Sequence, residues 1–204
     1  MNVVANFVRA MACAVVLHIA GVAMPEVAFA EMPATSGPIT LGSSQLDEVT
    51  AGGRSIISTA SANAQGAGWL AGATTKTDTF AGSYRKGGIQ GWAFAGALGV
   101  GSSGSAANAD ISLLSDTAFA DGLGSASTDG GTSSVNAKGG IFTTPRKTVA
   151  VVIVISVAHG ADAIATADAQ TGGLVAGGVT RTRDRTITYG DTTIAISKSV
   201  TVIH

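Results

Sequence analysis

Residues 148–170, TVAVVIVISVAHGADAIATADAQ, constrain the fold more than any other stretch. Residues 149–157 are an apolar run of mostly β-branched side chains, interrupted only by Ala150 and Ser156. Such side chains are stiff at χ1 and suit a pleated surface better than a helix. Residues 161–170 alternate strictly. Ala161, Ala163, Ala165, Ala167 and Ala169 take one parity, and Asp162, Ile164, Thr166, Asp168 and Gln170 take the other. Period two is the signature of a strand with unlike faces. With His159-Gly160 between the halves as a turn, the stretch predicts a β-hairpin. Its first strand, carrying Val149, Val151, Ile153, Ile155 and Val157, is expected to be buried on both faces. These five also form the expected assembly core, because the run has no charge and no proline.

The rest of the chain extends this pattern with smaller side chains. Glycine accounts for 28 of 204 residues, while charged residues are 12% and aromatics 5%. That charged fraction is about half the usual one for soluble domains. Small side chains bury little apolar area each. Stability must then come from backbone pairing, close sheet stacking or self-association. The formal net charge of −1 gives no electrostatic reason to expect a nucleic-acid partner.

Residues 1–30 read as a secretory signal peptide. Arg9 provides the positive start, residues 11–24 (MACAVVLHIAGVAM) the apolar core and Pro25 its end. Ala28-Phe29-Ala30 fits the small-x-small rule, so cleavage is expected after Ala30. The apolar run is short for a bilayer span of about 20 residues, so no stable transmembrane anchor is expected after cleavage. Cleavage also removes Cys13, the single cysteine, and leaves a chain without thiol chemistry.

Residues 31–40 read as a linker, with Pro33, Gly37 and Pro38. Residues 41–53, LGSSQLDEVTAGG, predict a short helix capped by Ser43 or Ser44 and ended by Gly52-Gly53. This segment resembles the double-glycine leader of exported bacterial peptides. Leu41, Leu46 and Val49 fall on that family's apolar positions, and Gln45 stands where it usually has Glu. The resemblance implies a bacterial exported protein, contact with export machinery and processing at Ala51 and Gly52. A short helix docked on the domain is the alternative.

From residue 54 the chain takes up a small-residue β pattern. Ala60, Ala62 and Ala64 alternate with polar residues, and 68–73 (GWLAGA) is echoed by 91–97 (GWAFAGA) as a weak repeat. Residues 99–140 hold either several short strands, for example near 111–114 and 118–120, or one long loop. Pro145 separates the 54–144 region from a hairpin-rich 145–204 region. Turns are expected at His159-Gly160, Gly172-Gly173, Gly177-Gly178, Asp184 and Gly190-Asp191. Short turns at close spacing favour antiparallel pairing. The expected class is all-β: a meander, a sandwich or a repetitive sheet stack.

No motif carries a strong chemical signal. Residues 99–104 match G-x-G-x-x-G, but no amphipathic helix follows to hold a phosphate. Ser156, His159 and Asp162 supply triad residue types without a nucleophile elbow. Asp110, Asp116, Asp121 and Asp129 lie at irregular spacings, unlike calcium repeats. No metal, cofactor or catalytic residue is expected. Arg181, Arg183 and Arg185 share one strand parity, as a cationic ladder or as protection of a sheet edge. Trp69 and Trp92, with Phe80, Tyr84 and Phe94, form either a sugar-stacking surface or bulky core filling. The favoured expectation is an exported structural protein of the bacterial cell surface or matrix that associates with itself through its sheets. A secreted glycan- or surface-binding module is the alternative, ahead of an outer-membrane barrel and of an enzyme.

Overall fold

The computed structural model describes residues 47–51, 54–84 and 88–204. The signal segment, the linker, Ala30, Gly52 and residues 41–46 of the expected helix lie outside the described residues.

Eleven strands are described, and every pairing is antiparallel. In chain order they are β1 (Asp47–Ala51), β2 (Arg54–Ala67), β3 (Ala71–Tyr84), β4 (Gly88–Gly101), β5 (Gly104–Ser115), β6 (Ala118–Thr128), β7 (Gly131–Thr144), β8 (Lys147–Gly160), β9 (Ile164–Gly173), β10 (Gly178–Tyr189) and β11 (Thr192–Ile203). They form two sheets. The five-stranded sheet has the order β1-β2-β5-β6-β9, and the six-stranded sheet has β10-β11-β8-β7-β4-β3. The protein is all-β, and the sheets pack face to face as a sandwich with one core between them.

The core is made of alanine with a few branched residues. Ala93, Ala95, Ala107, Ala120, Ala137 and Ala150 are fully buried, as are Ile56, Ile111, Leu113, Val135, Val152 and Val154. The branched side chains need room, and inward-facing glycines in the opposite sheet provide it. An added Cβ at Gly122 of β6 would lie 2.7 Å from Val152 Cγ1 and 2.9 Å from Val154 Cγ2. At Gly124 it would lie 2.5 Å from Val135 Cγ1. The same fit runs the other way, with Ile111 over Gly139 and Ile56 over Gly91. The glycine and alanine content is therefore a packing code that lets two sheets approach closely around a few bulky knobs.

The 148–170 stretch is not a hairpin. β8 lies inside the six-stranded sheet between β11 and β7, while β9 is the edge of the five-stranded sheet, beside β6. Residues 161–163 cross between the sheets, so the two strands stack face to face. Their alternation suits either arrangement, because period two fixes which residues share a face and not which neighbour is beside them. The crossing is held in place. Ala161 O accepts from Asp129 N at 2.9 Å and from Thr128 Oγ1 at 2.6 Å, and Gly160 N donates to Asp191 O at 2.9 Å. Gly160 has φ 143°, and a Cβ there would run into the Gly130 carbonyl, so only glycine fits.

Other expectations need similar correction. Residues 47–51, expected as helix, are strand β1, paired with the start of β2. Five residues cannot offset the cost of helix nucleation, whereas the free edge of β2 offers a ready ladder. Residues 99–140 hold the end of β4 and all of β5 and β6, and most of β7. The 68–73 and 91–97 echo has no structural counterpart, since the first copy is the crossing at 68–70 with the start of β3 and the second is mid-strand in β4. Asp184 lies within β10 and is not a turn. Pro145 sits in the tight turn between β7 and β8, and chain on both sides of it feeds both sheets.

Candidate functional site

The expected assembly core is not buried on both faces. Thr148, Ala150, Val152, Val154, Ser156 and Ala158 point into the sandwich. Val149, Val151, Ile153, Ile155 and Val157 point outward, half-buried, with Ile153 37% exposed. The bulkiest part of the sequence thus lies on the outer face of the six-stranded sheet.

The strand registers define the rows of that face. One row reads Arg181, Val200, Val151, Gly140, Trp92 and Phe80 across all six strands. The next reads Arg183, Lys198, Ile153, Lys138, Phe94 and Asp78. The third reads Arg185, Ile196, Ile155, Asn136, Gly96 and Lys76. Val202, Val149 and Phe142 continue the apolar surface at one end, and Ile187, Ile194, Val157 and Leu98 at the other. The apolar ridge follows β8 and β11 and is framed by six cations and one carboxylate, Asp78.

Phe80 and Trp92 stack across β3 and β4, with ring centroids 6.1 Å apart and planes inclined by 20°. Gly140 has no side chain beside Trp92. Trp92, Phe94, Lys138, Val151 and Ile153 therefore surround an open, shallow depression of about 730 Å3. Lys76 and Asp78 form its charged rim.

Trp92 and the three arginines share this face, but at opposite ends of a row. Four strand spacings of about 4.8 Å separate Trp92 from Arg181, or about 19 Å. Trp69 belongs to neither group. It is 89% exposed in the crossing between β2 and β3, whose far end pairs with Gly101. Gly101 stands nine residue steps along β4 from Trp92, about 30 Å of strand. The structure does not bring the two tryptophans together. The arginines do share a face as their parity predicts, and β10 is an edge strand. On its inward side, Thr180 and Thr182 bond Thr201 and Ser199 at 2.7 and 3.0 Å, and Asp184 accepts from Ser197.

The outer face of the five-stranded sheet differs in charge. Asp110, Asp121 and Asp168 project from β5, β6 and β9, and the outward positions of β2, β5, β6 and β9 hold no lysine or arginine. Leu114, Leu123 and Ile164 lie exposed among them. Asp121 accepts from Ser112 Oγ at 2.6 Å and Asp168 from Gln170 Nε2 at 2.8 Å. Partial burial, and after it the charge of Asp121, push the Asp110 carboxyl above the ordinary aspartate range.

The weaker motifs come apart. Ser156 points into the core while His159 points outward and bonds Thr192 Oγ1 at 2.8 Å through Nδ1. Asp162 is in the crossing at φ 49°. Gly99 and Gly101 end a strand and press on backbone carbonyls of β2 and β5. Asp116 holds the start of β2 through Ser55 N and Oγ, both at 3.1 Å, and Asp129 sits in another crossing. Among the described residues no group of three or more metal-ligating side chains is placed to hold an ion. The outer apolar face was legible in the odd positions of β8. Its continuity across β11, β7 and β4 was not, because it depends on strand order. Comparison with protein-family models, with curated proteins and with solved structures gave no match.

Proposed function

We propose that this chain is an exported structural protein that associates with itself through the outer face of its six-stranded sheet. The observation that carries the reading is the apolar ridge of Val149, Val151, Ile153, Ile155 and Val157 beside Ile194, Ile196, Val200 and Val202, uncovered in the single chain. Strands of twelve residues at about 3.3 Å each, six abreast, present a face of about 1,000 Å2. Lone soluble chains rarely leave so large a face uncovered when much of it is apolar. It also matches the roughly 800 Å2 per partner of a standard interface. Export is supported by the signal-like residues 1–30 and cleavage after Ala30. The leader-like 41–53 segment supports a bacterial source and a second cut at Ala51 and Gly52, which would separate β1 from the β2 edge. Sedimentation velocity of the purified chain over a concentration series tests the reading. A folded, protease-resistant protein that stays monomeric throughout would refute it.

A second reading rests on the stacked Phe80–Trp92 pair beside the depression over Gly140. Such a platform suits the apolar face of a sugar ring, with Lys76, Asp78 and Lys138 for its hydroxyls. Trp92→Ala should then abolish retention on polysaccharide without unfolding the protein. Retention unchanged by that substitution removes this reading.

A further inference from the structure

The two outer faces carry matching triplets. On the six-stranded sheet, Lys198, Ile153 and Lys138 lie side by side on β11, β8 and β7. On the five-stranded sheet, Asp110, Leu123 and Asp168 lie side by side on β5, β6 and β9. All six side chains are exposed. Each triplet is a charge, an apolar side chain and a like charge on three neighbouring strands. In both, the charges stand about 10 Å apart, twice the strand spacing.

We infer that the occupant of the six-stranded face is a second copy of this chain, docked through its five-stranded face, with Lys138 and Lys198 opposite Asp110 and Asp168 and Ile153 on Leu123. This rests on the self-association proposed above and specifies its partner surface. Because each row is symmetric about its apolar centre, the charges meet whichever way the strands of the two copies run. The alternative of two six-stranded faces in contact sets lysine against lysine, with three arginines added on each side. Like charges brought together oppose association, and opposite charges steer it and fix its register. Burial first, and after it the charge of Asp121, push the Asp110 carboxyl up, and apposed lysines relieve the second of these.

The contact is heterologous, because different surfaces meet. Each copy keeps one free face of each kind, so association continues beyond the dimer unless the ring closes. The expected product is an open stack of folded sandwiches whose two ends differ.

Charge reversal on each face tests this. One variant carries Asp110→Lys with Asp168→Lys, and the other carries Lys138→Glu with Lys198→Glu. Circular dichroism and thermal melting check their folding, and sedimentation velocity at low and moderate salt reads association. Each variant alone should lose at least tenfold in association constant, and an equal mixture should restore large species. If a reversed variant fails to fold, the neutral pair Asp110→Asn with Asp168→Asn, which adds no charge, must lose association in its place. Wild-type-like association of either aspartate variant overturns the inference while leaving self-association standing. So does a mixture that stays dispersed. A wild-type chain that remains monomeric overturns the self-association reading itself. A monomer that cosediments with phosphatidylglycerol vesicles, and not with phosphatidylcholine ones, assigns the basic face to an anionic membrane instead.

Discussion

Gly122→Ala adds one methyl group where branched side chains of the opposite sheet pack directly onto a glycine. The new Cβ would sit 2.7 Å from Val152 Cγ1, 2.9 Å from Val154 Cγ2 and 3.2 Å from Ile111 Cγ1. Carbon atoms pack best at about 3.5–4.0 Å, so the sheets must part locally by close to 1 Å or the valines must leave their rotamers. Neither response is easy. Val152 and Val154 are fully buried and β-branched, and such side chains have little χ1 freedom. Overpacking of this kind costs about 1–3 kcal/mol, against a gain of about 0.4–1 kcal/mol from stiffening the unfolded chain. The net expectation is a loss of about 1–2 kcal/mol, seen as a fall in Tm of roughly 2–8 °C for a chain of this size. Val152→Ala alone removes two buried methyl groups and costs about 2 kcal/mol. Together the two substitutions should cost less than their sum by about 1 kcal/mol, because the smaller side chain makes room for the new methyl. Urea titration of the four proteins closes the cycle. A Gly122→Ala variant more stable than wild type, or strictly additive effects, would refute the account of glycine as the space for valine. Gly72 is the control. Nothing lies within 4 Å of a Cβ built there, so Gly72→Ala should be neutral or stabilising by up to about 1 kcal/mol.

Further outcomes follow from the same geometry. Ile153→Lys faces outward and should keep the fold, losing only about 1 kcal/mol to the flanking Lys138 and Lys198, whereas Val154→Lys one residue on buries a charge and should abolish folding, as far-ultraviolet circular dichroism will report. Ser156 Oγ is buried with no hydrogen-bond partner among the described residues, so Ser156→Ala should be neutral or stabilising by about 1 kcal/mol in urea, and a clear loss would reveal a missed partner. Asp110 faces Asp121 and Asp168 as well as Ser61 and Leu123, and its raised pKa means that the folded chain holds its proton more tightly than the unfolded one. Ionised Asp110 therefore costs stability at neutral pH, and the cost fades as pH falls through the folded-state pKa. In dilute solution Asp110→Asn should melt above wild type at pH 7, and that advantage should vanish below about pH 4, where aspartate is protonated in either state. Intact mass and N-terminal sequence of the exported protein should place its start after Ala30 or after Gly52, and a chain retaining Met1 would contradict both expectations.

Much of the architecture was readable because strand periodicity is local. The alternating alanines of β9, the parity of the β10 arginines and the turn at Gly190-Asp191 all follow from side-chain direction and turn chemistry. Strand order was not readable, and the 148–170 stretch shows why. A hairpin and a crossing between sheets need the same alternation on both strands, and what separates them is which surface β9 covers. The same gap hid the site. Val149, Val151, Ile153, Ile155 and Val157 were legible as one face. That this face is the outer one depends on the smaller Ala150, Val152, Val154 and Ala158 fitting the glycine-lined interior at Gly122 and Gly124. Bulk usually marks the buried side of a strand, and here tight sheet approach reserves the inside for small residues. The β1 segment failed for another reason, since a cap-like Ser43-Ser44 and two acidic residues are local signals that a free neighbouring edge overrides.

In the proposed self-association, the outward ridge of β8 holds copies of this chain together. Sedimentation velocity of wild type and Ile153→Lys, side by side over a hundredfold range of concentration, tests it most directly. Wild type should shift to progressively larger species while Ile153→Lys stays monomeric with its melting transition preserved. Equal association of the two proteins, or a wild type that never leaves the monomer, would contradict it.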